Sequence, residues 1–377
     1  MNILQLLSLL LLFFYSKEQD KVLSHLLYNN QYNRPVIRLV FNDNDATGLN
    51  ALLNTYLPFS LFTNEINAKT ISNKTVTIED THFLYQKQAK LTIYNYTLEK
   101  FSFYYSSESI TYFRELGISL AYKPEDESFS LIHHLYKNKI IEHLKFALSI
   151  NGNKGMIHFG GYPEEAMNLE YKGHCKIRDS FGYWGCPLKG VEVNNTFYKL
   201  ETDTLIHSGE YAFLYSNELL QFAIENIFNE KITKNVCYVE TDKQDGDSIH
   251  CKNKTTALTF SLLFNDIKMQ FNVDELYSKR SADKFLFRSN PHNYIDYKGV
   301  VFGMYFLMQF DLVVFDYENK QLEFFSNKVI LDNKVYNNTI QIILCIIVSL
   351  LCTISIVYNL IQKYTINIIY FSNSIYF

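Results

Sequence analysis

Two uncharged, largely apolar runs, one at each end, decide how much of this chain is left to build a water-soluble fold. Residues 4–15 carry no charge and are followed by Ser16 and the polar Lys17-Glu18-Gln19-Asp20. A run that short cannot span a bilayer and has the layout of a secretory signal peptide, residues 1–16, cleaved near Ser16. Residues 340–361 also lack charge and match the ~20 residues that a spanning helix needs, so they read as a single transmembrane anchor. A translocation signal plus one stop-transfer helix defines a type I membrane protein of the secretory pathway. Its ectodomain is expected in the lumen or outside the cell, with 329–339 as a juxtamembrane stalk and 362–377 as a short cytoplasmic tail. A removable glycolipid-anchor signal fits less well, because the polar Gln362-Lys363 is followed by more chain.

Three further features agree with that side of the membrane. The Asn-x-Thr sequons at Asn73, Asn95, Asn194, Asn253 and Asn337 all precede the anchor and are N-glycosylation candidates. Cys345 and Cys352 fall inside the anchor, leaving an even ectodomain set of Cys175, Cys186, Cys237 and Cys251. An even set in an oxidising compartment points to disulfides; three connectivities exist, and proximity favours Cys175 with Cys186 and Cys237 with Cys251. The spacings lack a paired Cys-x-x-Cys, so no metal is expected, and no cofactor motif is present. His133, His134 and His143 read as surface or packing residues. With 35 basic against 39 acidic residues and no clustered basic face, nucleic acid is excluded as a partner.

Between the two ends the texture is mainly β. Short alternating runs at 36–41, 49–53, 57–62, 75–78, 90–94 and 98–105 are separated by polar turns such as Asn42-Asp43-Asn44-Asp45. The spacing of Phe129, Ile132, Leu135 and Ile140 predicts a short helix that turns near Asn138 and returns into a strand over 145–150. A second helix is predicted over 219–228, from Leu220, Ala223, Ile224 and Ile227 on one face. Strands follow at 236–239, 257–264, 267–271, 312–315 and 322–325. Gly160-Gly161 is backbone punctuation and not a phosphate cradle, since no helix-opening Gly-Lys-Ser/Thr follows.

Several stretches resemble a pepsin-like aspartic protease. Val300-Val301-Phe302-Gly303-Met304-Tyr305-Phe306-Leu307, then Val314-Phe315-Asp316 and Leu322-Glu323-Phe324, are similar to the closing segment of that family. Residues 146–163 resemble its strand, turn and Gly-Gly stretch, Tyr183-Trp184 its aromatic pair opening the second lobe, and Cys237 with Cys251 that lobe's disulfide. The resemblance implies a mainly β, bilobal fold with a few short helices. An N-terminal segment 17–33 would precede an N-terminal lobe 34–165 and a C-terminal lobe 166–328, each giving one Asp-containing loop to a central cleft.

The resemblance also locates the two loops, and both have changed. His207-Ser208-Gly209, within Leu205-Ile206-His207, stands where the family has Asp-Ser/Thr-Gly. The first triplet falls on Asn54-Thr55-Tyr56. The family's two carboxylates share a proton and activate water, whereas an Asn amide neither takes nor gives a proton near neutral pH. His207 can do proton chemistry, with an unperturbed pKa of about 6.5, but lacks a partner at Asn54. The flap region near Tyr85 lacks the family's Tyr-Gly, and Glu210 and Tyr211 replace small hydroxyl residues. Asp45, Glu201 and Asp203 are the substitute acids to consider. The expected protein is thus a pseudoprotease with a peptide-binding cleft lined by Thr55, Tyr56, Tyr85, Ser208, Gly209, Glu210 and Tyr211. An active endopeptidase using altered residues and a structural or adhesive surface glycoprotein are the alternatives.

Overall fold

The structure, a computed structural model, describes residues 22–29, 35–42, 48–63, 66, 68–78, 80–93, 95–107, 117–151, 154–178, 182–193, 196–210, 212–242, 246–252, 259–265, 267–276, 284–289, 299–327 and 330–331. The signal-peptide and anchor segments, and the sequons at Asn194, Asn253 and Asn337, lie outside them. Among the described residues no helix is long and apolar enough to cross a membrane. The described chain up to Ile330 forms one unit, mainly β with short helices.

Its backbone is a sheet shared by both halves of the chain. Tyr171–Lys176, Gln321–Phe325, Leu312–Asp316, Lys145–Asn151, Lys154–Phe159 and Leu23–Asn29 lie side by side in that order. The seam is Leu312–Asp316 against Lys145–Asn151, antiparallel with Val313 opposite Leu148. On either side of it stands a hairpin partner and then one further strand, so the arrangement repeats about the seam. Every residue of Leu312–Asp316 is buried, as an uninterrupted apolar run demands when both sheet faces are covered. Leu23–Asn29, within the N-terminal segment, is a strand that the sequence pattern did not bring out.

Aromatic residues fill the space around this seam. The Trp184 ring packs against Phe146, Phe315, Tyr317 and Tyr122 at 4.7–5.9 Å. Its Nε1 donates to Leu120 O at 2.8 Å, and the Tyr317 hydroxyl donates to the carbonyls of Leu120 and Ala121 at 3.1 Å. Burial alone would penalise these polar atoms, and the shared carbonyls offset that cost. Beneath the second half, Phe213 touches Phe260, Phe271, Phe287, Phe302 and Phe306.

Beyond the seam each half builds the same local motif. In the first, Leu49–Asn54 runs parallel to Gly117–Ser119, which pairs antiparallel with Leu61–Phe62, itself parallel to Tyr96–Tyr105. In the second, Thr204–Ile206 runs parallel to Val300–Phe302, which pairs antiparallel with Leu214–Tyr215, itself parallel to Lys284–Arg288. Leu49–Asn54 and Thr204–Ile206 therefore each deliver the residue at or after their C-terminal end to an equivalent turn. Two disulfides, Cys175–Cys186 and Cys237–Cys251, join the cysteines that proximity paired. The predicted helices form at Leu131–Lys137 and Asn217–Asn226, the second capped by Ser216 Oγ accepting from Leu219 N–H at 3.3 Å.

One predicted strand is corrected. Residues 57–62 read as extended, yet only Leu61–Phe62 is a strand. Asn54 Oδ1 accepts the backbone N–H groups of Tyr56 and Leu57, both at 2.8 Å, which curls the chain before it can extend. Leu57 and Phe59 still reach the core, packed with Leu61, Leu84, Tyr104 and Phe129.

The buried histidines fix a direction for acid sensitivity. Burial depresses the pKa of His133, His134 and His158 below the ordinary 6.5. Below about 6.5 the unfolded chain then binds more protons than the folded one, and stability falls with pH. Burial pushes the Asp316 carboxyl up, but hydrogen bonds from Asn319 and the nearby Lys145 ammonium outweigh it and hold the carboxyl low, a loss of the same sign at lower pH. Denaturant midpoints measured at pH 7.5 and 5.5 should drop on acidification. A rise would contradict this packing.

Candidate functional site: the paired turns at Asn54 and His207

The two turns are locked to each other by crossed hydroxyls. Thr55 Oγ1 donates to Ile206 O at 2.8 Å and accepts from Ser208 N–H at 3.0 Å. Ser208 Oγ donates to Leu53 O at 2.5 Å and accepts from Thr55 N–H at 3.1 Å. Each hydroxyl thus holds the carbonyl just before the other turn's first residue and the amide just after it. Thr55 and Ser208 are both fully buried, so the crossing holds the turns that begin at Asn54 and His207 against each other.

What each of those residues presents is fixed by its own turn. Asn54 is buried, and its Oδ1 is taken by two backbone N–H donors. Only an oxygen can accept from both, which assigns the amide orientation and leaves Nδ2, a pure donor, as the other polar atom. His207 is buried as well, and its Nδ1 accepts from Gly209 N–H at 3.0 Å. The neutral ring therefore carries its hydrogen on Nε2. A second proton on Nδ1 would set it against the Gly209 donor. The second nitrogen of each central side chain, Asn54 Nδ2 and neutral His207 Nε2, is thus a hydrogen-bond donor.

Above them lies a stack of rings. The Tyr56 ring lies on His207 at 5.0 Å between centroids and 26° between planes, and on Tyr183 at 5.2 Å and 22°. Tyr56 and Tyr183 also pack on Leu205, Ala212 and Val301. Tyr56 takes the third position of its triplet, and its side chain covers one face of the imidazole.

The remaining candidates fall in different places. Gly209 supplies its N–H to His207. Glu210 is buried; its N–H donates to His207 O at 3.1 Å and its carbonyl accepts from Met304 N–H at 2.7 Å. A Cβ at Gly303 would sit 2.3 Å from Ala212 O and 2.8 Å from Glu210 O, so that glycine permits the close passage of the turn. Tyr211 and Asp45 lie outside the described residues. Tyr85 stands within Asp80–Ile93, opposite Asn73 and Tyr105, with its ring 6.4 Å from that of Tyr105 and away from the hairpin turn. Asp203 pairs with Arg178 at 3.3 Å and Glu201 with Lys199 at 3.0 Å, so these two acids each have a cation as partner. His133 contacts Ser130, His134 the Ser128 carbonyl, and His143 Glu318. Among the described residues no group of three or more His, Cys, Asp or Glu could hold a metal ion.

Sequence reasoning missed two supports. Ser60 Oγ accepts from Ser119 N–H at 2.9 Å and donates to Phe129 O at 2.9 Å, while Ser119 Oγ donates to Leu57 O at 2.6 Å. These hydroxyls clamp the first turn from below, and isolated serines carry no pattern that would mark them. Tyr183 stood out only as half of an aromatic pair; nothing in the sequence linked it to Tyr56.

Comparison with known proteins fits this geometry. Residues 72–326 match the family described as Eukaryotic aspartyl protease, and the chain belongs to that family. The match begins beyond Asn54-Thr55-Tyr56, the more altered of the two triplets. Among solved structures the fold is similar to the crystal structure of an aspartic proteinase from Irpex lacteus, with a TM-score of 0.62 and 14% identity over 81% of this chain and 97% of that one. At this identity the likeness is one of fold. No curated protein sequence matches the chain.

The crossed hydroxyls should carry measurable stability. Thr55→Val strands the Ile206 carbonyl and the Ser208 amide in a buried place, and each unsatisfied group costs about 1–3 kcal/mol. Chemical denaturation should show a loss of at least about 2 kcal/mol, near the low end for two such groups. A value within error of wild type would remove the crossing from its central role.

Proposed function

We propose that this protein is a membrane-anchored pseudoprotease of the secretory pathway, a pepsin-like scaffold whose cleft binds peptide or protein segments without cutting them. The observation that carries the reading is the polarity of the two turns. Asn54 Oδ1 and His207 Nδ1 are both engaged by backbone N–H groups, so the second nitrogen of each side chain carries hydrogen, at the two positions where the family resemblance places carboxylates. General base catalysis needs an acceptor within reach of the attacking water, and proton return to the leaving group needs an acid. Neither role has an occupant in this pair. The uncharged runs at the two ends support the anchored, lumenal placement, and the two disulfides support an oxidising compartment.

The active-endopeptidase reading would need a carboxylate brought to His207, and Asp203 and Glu201 are held by Arg178 and Lys199 instead. One observation favours the other alternative, a structural or adhesive surface glycoprotein. Tyr56 stacks between Tyr183 and His207, filling the floor with protein atoms where a bound chain would otherwise lie.

Two assays on the purified protein separate the three. An unstructured polypeptide incubated from acid to neutral pH should survive intact; statine-sensitive cleavage that disappears in His207→Ala would establish the active enzyme. Screening a fluorescent peptide library by anisotropy should then find saturable binders, competed by one another, and a library without any binder would leave the structural reading standing in place of this one.

A further inference from the structure

Among the described residues three acids are buried: Glu210, Asp316 and Glu323. A carboxylate taken out of water is costly unless something pairs with it. Asp316 meets Lys145 at 3.3 Å and accepts from Asn319 N–H at 2.8 Å and Asn319 Nδ2 at 2.9 Å. Glu323 accepts from the Tyr162 hydroxyl at 2.8 and 2.9 Å and from Gln321 Nε2 at 2.7 Å. Glu210 differs. It is 4% exposed, and among the described residues neither a hydrogen bond nor an ion pair reaches its carboxylate, yet its oxygens are not sealed from solvent.

The backbone fixes the residue that carries this carboxylate. Glu210 N–H donates to His207 O at 3.1 Å, and Glu210 O accepts from Met304 N–H at 2.7 Å. Swinging the turn outward to hydrate the side chain would break these bonds. A group held in place, buried and left without a partner points to a partner that arrives from outside. The neighbouring residues suit a cation. Tyr56 and Tyr183 pack on Leu205 and Ala212, which bracket this turn in the chain, and aromatic faces attract positive charge. The second nitrogens of Asn54 and His207 are donors, so the acceptor Glu210 asks for a ligand group of the opposite kind.

We propose that Glu210 is a receptor for a guanidinium or ammonium group, so that the cleft selects segments carrying a basic side chain. This rests on the peptide-binding reading and gives its ligand a chemistry. A guanidinium fits best, because its planar fork of donors matches a carboxylate through two parallel hydrogen bonds and is more weakly hydrated than an ammonium.

The test compares the full chain with Glu210→Gln, which keeps the shape and removes the charge. Relieved of an unpaired carboxylate, Glu210→Gln should unfold at the wild-type temperature or above it. A lower midpoint would reveal a structural partner and overturn the proposal. N-acetyl-arginine methylamide, too small to need the rest of the cleft, should raise the wild-type midpoint with saturation. Its neutral citrulline counterpart should not, and Glu210→Gln should respond to neither. An equal response from both proteins, or none from either, overturns the proposal. Fluorescent Gly-Ser peptides carrying one Arg should bind wild type about tenfold tighter than the same peptides with citrulline, a margin lost in Glu210→Gln. Peptide binding without that margin overturns the cation site and leaves the peptide-binding reading in place. A response to N-acetyl-arginine methylamide with no peptide bound does the reverse, supporting the cation site and removing the peptide reading.

Discussion

Two hydroxyl groups hold this architecture at its centre. Thr55 and Ser208 come from turns more than a hundred residues apart in the chain, and each satisfies a buried carbonyl and a buried amide of the other turn. Four such bonds contribute roughly 1 kcal/mol apiece when made, but their larger effect is positional. They allow only one placement of the strands that deliver Asn54 and His207, and the parallel pairings with Gly117–Ser119 and Val300–Phe302 build outward from that placement. The seam between Lys145–Asn151 and Leu312–Asp316 then closes the two halves into one unit.

A scaffold held this firmly can keep its turns while the residues they carry change. Asn at position 54 keeps the acceptor that its turn requires, because Oδ1 serves the Tyr56 and Leu57 amides as a carboxylate oxygen would. Unlike a carboxylate, the amide does not ionise. His207 likewise satisfies the Gly209 amide and loses the freedom to act as a base at that nitrogen. Tyr56 places a ring where the family's triplet has glycine, and that ring stacks on His207 and Tyr183. The three residues are mutually consistent: each keeps its turn intact, and on the proposed reading each takes away a group that the family's catalysis uses.

Much of this could be read from residue order. The closing segment from Val300 to Phe325, the helix starting at Leu131 and the proximity of Cys237 to Cys251 are local patterns, and all three appear in the structure. Asn54 and His207 were singled out only through the resemblance to the family, and the crossed bonds of Thr55 and Ser208 show that their two turns do meet. Contacts between distant segments were not legible. Nothing near Tyr56 in sequence announces Tyr183, and the extended look of residues 57–62 gave no hint that the Asn54 side chain would curl them. Leu23–Asn29 escaped notice because its pairing with Lys154–Phe159 is decided across the fold and not by its own composition.

The central claim is that both residues at the paired turns are donors. It is tested most directly by nitrogen NMR of the protein labelled only at histidine side chains, with the His207 signals assigned by their loss in His207→Ala. The geometry predicts a neutral ring with hydrogen on Nε2 and an unprotonated Nδ1 shifted by the Gly209 hydrogen bond. A ring protonated on Nδ1, with Nε2 left as an acceptor, would restore a base to the site and contradict the account.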